Sequence, residues 1–118
     1  MKKFLILYTS PTPARDEMAK ASPEQAKSGM DAWKNWARQA GNAIVDLGAP
    51  LADVGSTHSK VTGFTILQAN SANEIEQLLS NHPHKKMPGT AIEIHEFLAM
   101  PDGSTAERVA RELETSRR

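Results

Sequence analysis

The sequence contains no cysteine, which excludes a disulfide, a thiolate nucleophile, an iron–sulfur cluster and a cysteine-ligated zinc. It has no net charge either, since fourteen Lys and Arg offset fourteen Asp and Glu. Binding to phosphate backbones needs a basic excess, so the composition argues against a nucleic-acid partner. A long apolar run is also missing. The opening stretch Phe4-Leu5-Ile6-Leu7-Tyr8 stops after five residues at Thr9 and Ser10. A signal-peptide core takes about 7–15 apolar residues and a membrane span about 20. The run therefore reads as a buried strand, and the protein as cytoplasmic with no membrane partner. Low-complexity tracts and internal repeats are absent.

What is present is ordinary for one soluble globular domain: 118 residues, 39% hydrophobic and 24% charged. Ser22-Pro23-Glu24-Gln25 predicts a helix start, with Ser22 as cap, Pro23 at the first helical position and Gln25 closing a capping box. Ala26, Met30, Trp33, Ala37 and Ala40 then share one face, Trp36 widens it, and Gly41 ends the helix. A short helical turn is expected around residues 14–21. Further strands are expected at 43–49, 63–69 and 90–98, with a loop or loose hairpin over 51–62. Ser71 to Glu74 forms a second capping box for a helix with Ile75, Leu78 and Leu79 inward, stopped by Pro83. A third box, Ser104 to Glu107, opens a tail helix with a thin apolar set. The order βαββαβ predicts a ferredoxin-like α+β domain over residues 1–99, two helices on one sheet face, and a C-terminal tail with a short helix over 100–118.

In that topology one sheet face lacks a helical cover. Strand one puts Phe4, Ile6 and Tyr8 on one side and Leu5 and Leu7 on the other, while strand three sets Phe64 and Ile66 against Leu67. Each large apolar side chain left in water forfeits roughly 1.5–3 kcal/mol. A homodimer joined through its sheet faces follows. RNA recognition on the same element order needs several exposed aromatics on strand three, and only Phe64 is there.

Particular residues then resemble a known family. Lys3-Phe4-Leu5-Ile6-Leu7-Tyr8, Ala32-Trp33-Lys34-Asn35-Trp36, Gly48-Ala49-Pro50-Leu51-Ala52-Asp53, Gly63-Phe64-Thr65-Ile66-Leu67-Gln68-Ala69 running into Ser71-Ala72-Asn73-Glu74, and His82-Pro83-His84 followed by Gly89-Thr90-Ala91-Ile92-Glu93-Ile94 are similar, in order, to segments of the YCII-related family. The resemblance covers residues 3–98. It implies a dimeric α+β barrel, in which two such sheets close around a shared interior. In some members a His–Asp pair is proposed as an acid–base dyad; the Asp corresponds to Asp53, whereas the His position early on the first helix holds Trp33. The Asp-Gly-Pro-Phe motif of a neighbouring branch is also replaced, its nearest counterpart being Val61-Thr62-Gly63-Phe64.

The candidate chemistry follows from these positions. Asp53 ends a Gly-Ala-Pro-Leu turn after a strand, where a carboxylate beside an imidazole serves as general base or orients one; a turn-capping role competes with it. His58 in the polar loop and His95 on the last strand are the imidazoles paired with it. Glu93 and His95 face the sheet side away from the helices, where an interfacial ion pair is the plain alternative. Trp33, Trp36, Glu93 and Phe64 are expected to line the ligand pocket. His82 and His84 flank Pro83 in a helix-ending turn, and His-x-His alone does not make a metal site. The resulting expectation is a cofactor-independent, metal-free acid–base enzyme for a small organic molecule inside the barrel. The rival is a non-catalytic ligand-binding or structural homodimer.

Overall fold

The computed structural model describes residues 1–116. The apolar opening run is the middle of β1, Lys2–Thr9. It pairs antiparallel on both edges, Tyr8 opposite Gly63 of β3 (Val61–Ala69) and Ile6 opposite Ile94 of β4 (Ala91–Glu96). With β2 (Ile44–Pro50) the sheet order is β2-β3-β1-β4. A central strand meets side chains on both faces, which is why β1 reads as continuously apolar. No helix is long and apolar enough among the described residues to cross a membrane.

Two helices cover one face. The chain first forms the short, unburied α1, Ala14–Lys20, and then α2, Pro23–Ala40. The expected capping box of α2 is complete: Gln25 N donates to Ser22 Oγ at 3.1 Å, and Ser22 N donates to Gln25 Oε1 at 2.9 Å. Gly41, at φ 53°, takes the left-handed position that ends the helix. The second box is displaced by one residue. Ser71 caps α3 (Ala72–Leu79), but the Glu74 carboxylate accepts from Asn70 N, at 2.9 Å, instead of from the cap residue. Trp36 and Ala40 of α2, with Ile75 and Leu79 of α3, cover Phe4, Ile6, Tyr8, Leu67 and Ala69 of the sheet. Trp36 Nε1 donates to Leu78 O at 2.9 Å and ties the two helices together. At roughly 1.5–3 kcal/mol for each buried large side chain, this layer is the main source of stability.

Other edges of the expectation move. In the tail, Thr105 caps α4 (Ala106–Ser116), its Oγ1 accepting from Arg108 N at 3.2 Å. Ser104 is engaged with the Asp102 carboxylate, and Glu107 accepts from Lys3 Nζ at 2.9 Å. Glu107 cannot close a box while it pairs with Lys3. No residue of α4 is buried, and residues 117 and 118 of the expected tail lie outside the described residues. The chain measures 50 × 35 × 24 Å with a radius of gyration of 16.7 Å. A compact domain of this length has about 13–14 Å, so the chain is more extended than a closely packed body.

A cleft of aromatic rings and imidazoles

The N-terminal half of α2 runs past the sheet. Its inward face continues through Met30, which is 53% exposed, while Trp33 is half-buried and Trp36 is buried. Beneath this overhang, β2 and β3 present glycine. Gly48 sits at φ 85°, and a Cβ there would run into the Phe64 carbonyl. Gly63 lies under the Tyr8 ring, its would-be Cβ 3.5 Å from Tyr8 Cδ2. Overhang and missing side chains leave a cleft of about 230 Å³ bounded by Tyr8, Met30, Trp33, residues 47–50, residues 62–64 and His84. Lys, Arg, Asp and Glu are absent from its lining. It opens on the helix side of one chain's sheet, whereas the sequence placed a pocket in the interior of a two-chain barrel.

The back wall is aromatic and pinned by hydrogen bonds. The Thr65 hydroxyl donates to Leu47 O at 2.8 Å. Tyr8 Oη lies 2.7 Å from the same Thr65 oxygen, so the phenolic hydrogen points to Thr65. Burial pushes the Tyr8 hydroxyl up to about 12, partly opposed by the Thr65 hydrogen bond, which keeps it protonated. The Thr62 hydroxyl donates to Tyr8 O at 3.3 Å.

Pro83 initiates a 3-10 turn over Pro83–Lys86 that buries both flanking histidines. His84 N–H donates to His82 Nδ1 at 3.0 Å, fixing the neutral His82 proton on Nε2. That Nε2 is buried and without a partner among the described residues. His82 is boxed by Tyr8, Trp33 and Trp36, at centroid distances of 4.8, 4.5 and 4.4 Å. Burial, then the charges of His84 and Lys85, pull its pKa down to about 3. His84 meets the cleft itself. Its Nε2 stands 2.7 Å from Thr9 O; a carbonyl only accepts, so Nε2 carries a hydrogen and, in the neutral ring, Nδ1 is the acceptor. This Nδ1 bonds no group among the described residues, yet it is not among the sealed-off polar atoms.

The residues singled out in the sequence fall in three places. Trp33 lines the cleft, Trp36 lies behind it in the core, and Phe64 borders it along β3 while alternation turns its ring to the other face. Asp53 and His58 lie in the exposed loop after β2. There Asp53 accepts from Ser59 N and Ser59 Oγ, both at 2.8 Å; these bonds, backbone first, hold its carboxyl below the usual range. Glu93 and His95 are exposed on the helix-free face and pair at 3.1 Å. His95 stands opposite Leu5, near the start of β1, whereas Lys60 at the end of the loop bonds Ser10 beyond its finish. Within one chain Asp53 and His95 are thus at opposite ends of the sheet, whereas the charge of His58 reaches the Asp53 carboxyl. His82, His84, Tyr8 and Thr65 were not selected from the sequence as site residues; Thr65, a polar side chain on the inward face of β3, was the available signal.

No family model matches the chain, and no curated protein matches it. Among solved structures it is similar to 5-chloro-2-hydroxyhydroquinone dehydrochlorinase from Burkholderia phenoliruptrix, in complex with 2,5-dihydroxybenzoquinone. The TM-score is 0.55 at 15% identity, over 88% of this chain and 100% of that one. The likeness is one of fold. The shared architecture is a four-stranded antiparallel sheet with helices on one side and, in this chain, a helix at the C-terminal end.

Proposed function

We propose that the protein is a cofactor-independent acid–base enzyme acting on a small, flat organic molecule held between α2 and the sheet. The supporting observation is the commitment of His84: Nε2 is held to Thr9 O at 2.7 Å, and the ring, its Nδ1 without a partner among the described residues, borders a cleft that no Lys, Arg, Asp or Glu lines. A fixed imidazole of this kind takes a proton from a bound molecule and returns it, a contribution of about 10²–10⁴ in rate. Trp33 and Tyr8, edge to face at 4.9 Å, wall the space for a ring. The dehydrochlorinase of like fold holds a flat dihydroxybenzoquinone, which agrees with this shape. Asp53, His58 and His95 take no part.

The same reading includes two copies packed sheet to sheet, as the YCII-like segments imply. Leu5, Leu7, Phe64 and Ile66 lie together on the helix-free face, only half covered within one chain. Beyond the sheet Phe97, Leu98 and Met100 are exposed.

The test is turnover in D₂O. Small oxygenated ring compounds are incubated with the protein, and exchange of ring or α-carbon hydrogens is followed by NMR. Wild-type protein is expected to accelerate exchange, His84→Gln to lose at least tenfold of it, and Asp53→Asn to retain it. Tight ring binding without exchange would leave a non-catalytic binding protein; loss of exchange in Asp53→Asn would return the chemistry to the loop.

A further inference from the structure

The polar groups of the cleft share a direction. Thr65 spends its hydrogen on Leu47 O, so Tyr8 must spend its own on Thr65 and offers the cleft only an acceptor oxygen. Thr62 spends its hydrogen on Tyr8 O. His84 spends its hydrogen on Thr9 O. The Tyr8 and His84 rings are neighbours, with centroids 5.2 Å apart and a 58° tilt between their planes. Trp33 lines the same cleft, and its indole N–H has no hydrogen-bond partner among the described residues. The hydrogens of the cleft's hydroxyls and of the His84 Nε2 are thus committed inward, and the side-chain acceptors left over await a hydrogen from the ligand.

From this polarity we infer the class of molecule the cleft takes: an uncharged planar ring bearing a hydroxyl, a phenol or a ring enol, whose O–H supplies the hydrogen that the acceptors of Tyr8 and His84 lack. The inference rests on the cleft being the site and narrows it further. A carboxylate or phosphate finds no cation in the lining and pays for its desolvation unaided. An ether or ketone oxygen placed against the two acceptors meets lone pair with lone pair. A buried acceptor left unmatched discriminates strongly against the analogue that lacks the hydrogen. Proton transfer is balanced within the same pair: the O–H bond breaks, its electrons stay on the ligand oxygen, and the proton forms the Nδ1–H bond of His84, giving a phenoxide or enolate beside an imidazolium.

The experiment compares three probes of one shape by calorimetry on the wild-type protein: 2-naphthol, 2-methoxynaphthalene and 2-naphthoate. Naphthol is expected to bind at least tenfold more tightly than its methyl ether and naphthoate more weakly than either, and Trp33→Leu to weaken naphthol at least tenfold. Thr65→Val, which removes the acceptor for the Tyr8 hydrogen and turns it toward the cleft, is expected to narrow the naphthol-to-ether ratio. Equal affinity for naphthol and its ether overturns the hydroxyl requirement while leaving the cleft as a ring site. Binding of all three unaffected by Trp33→Leu, or binding of none, removes the cleft reading itself and the inference with it.

Discussion

The Tyr8 phenol and the His82 imidazole lie stacked, 4.8 Å between centroids and 28° between planes. The histidine so covered cannot take up a proton without placing a charge among three aromatic rings.

That burial gives stability a defined acid limb. An unfolded histidine titrates near its ordinary value of about 6.5, whereas His82 in the fold is held at about 3. Between these values the unfolded chain binds the extra proton, so stability rises with pH. The contribution is complete above pH 6.5, is lost progressively as the pH falls toward 3, and amounts to the order of 4 kcal/mol over the whole window. Urea midpoints measured from pH 7 to 4.5 are expected to fall steadily for wild type. His82→Asn, which keeps an acceptor for His84 N–H, is expected to be less stable at pH 7 and flatter across that range. An equal slope in both proteins would mean that His82 is protonated in the fold.

Two glycines make a matched pair. Gly48→Ala forces a Cβ toward the Phe64 carbonyl at a φ of 85°, and a loss of about 2–4 kcal/mol is expected from the clash and strain together. Gly29, within α2, has open space where a Cβ would go. Gly29→Ala is expected to gain roughly 0.5–1 kcal/mol. Thermal midpoints for the two variants should move in opposite directions; an unshifted Gly48→Ala would show that β2 relaxes and that its bend is not rigidly held.

The assembly has its own test. Ile66 stands opposite Leu5 on the helix-free face, so Ile66→Lys would place an ammonium at the seam between copies. Light scattering at micromolar concentration is expected to give twice the chain mass for wild type and the chain mass for the variant, with unchanged circular dichroism. A wild-type monomer would leave this sheet face open.

Much of the architecture was legible because it rests on local pattern. The Ser22 box, the alternation of β1 and the Gly41 stop depend on residues within one turn or one strand. The tail cap was misplaced by one residue because Ser104 and Thr105 are chemically alike, and a distant Lys3 decided what Glu107 does. The site was less legible. His82 stands out only by its enclosure by Tyr8, Trp33 and Trp36, which are brought there by β1 and α2. His-Pro-His reads as an exposed turn until those elements close over it. Asp53 had the opposite fate: a carboxylate after a strand suggests chemistry, but in the exposed loop it accepts two hydrogen bonds from Ser59, with the charge of His58 as a lesser neighbour.

Every hydrogen that the cleft's own hydroxyls and imidazole surrender ends, directly or through Thr65, on a peptide oxygen: Tyr8, Thr9 or Leu47. Substitution can change a side chain but cannot delete a peptide oxygen. Descendants of this chain could therefore exchange Met30 or Leu47 for other apolar groups and admit rings of new outline. What they ask of a guest's oxygen would stay the same for as long as the strands keep their register.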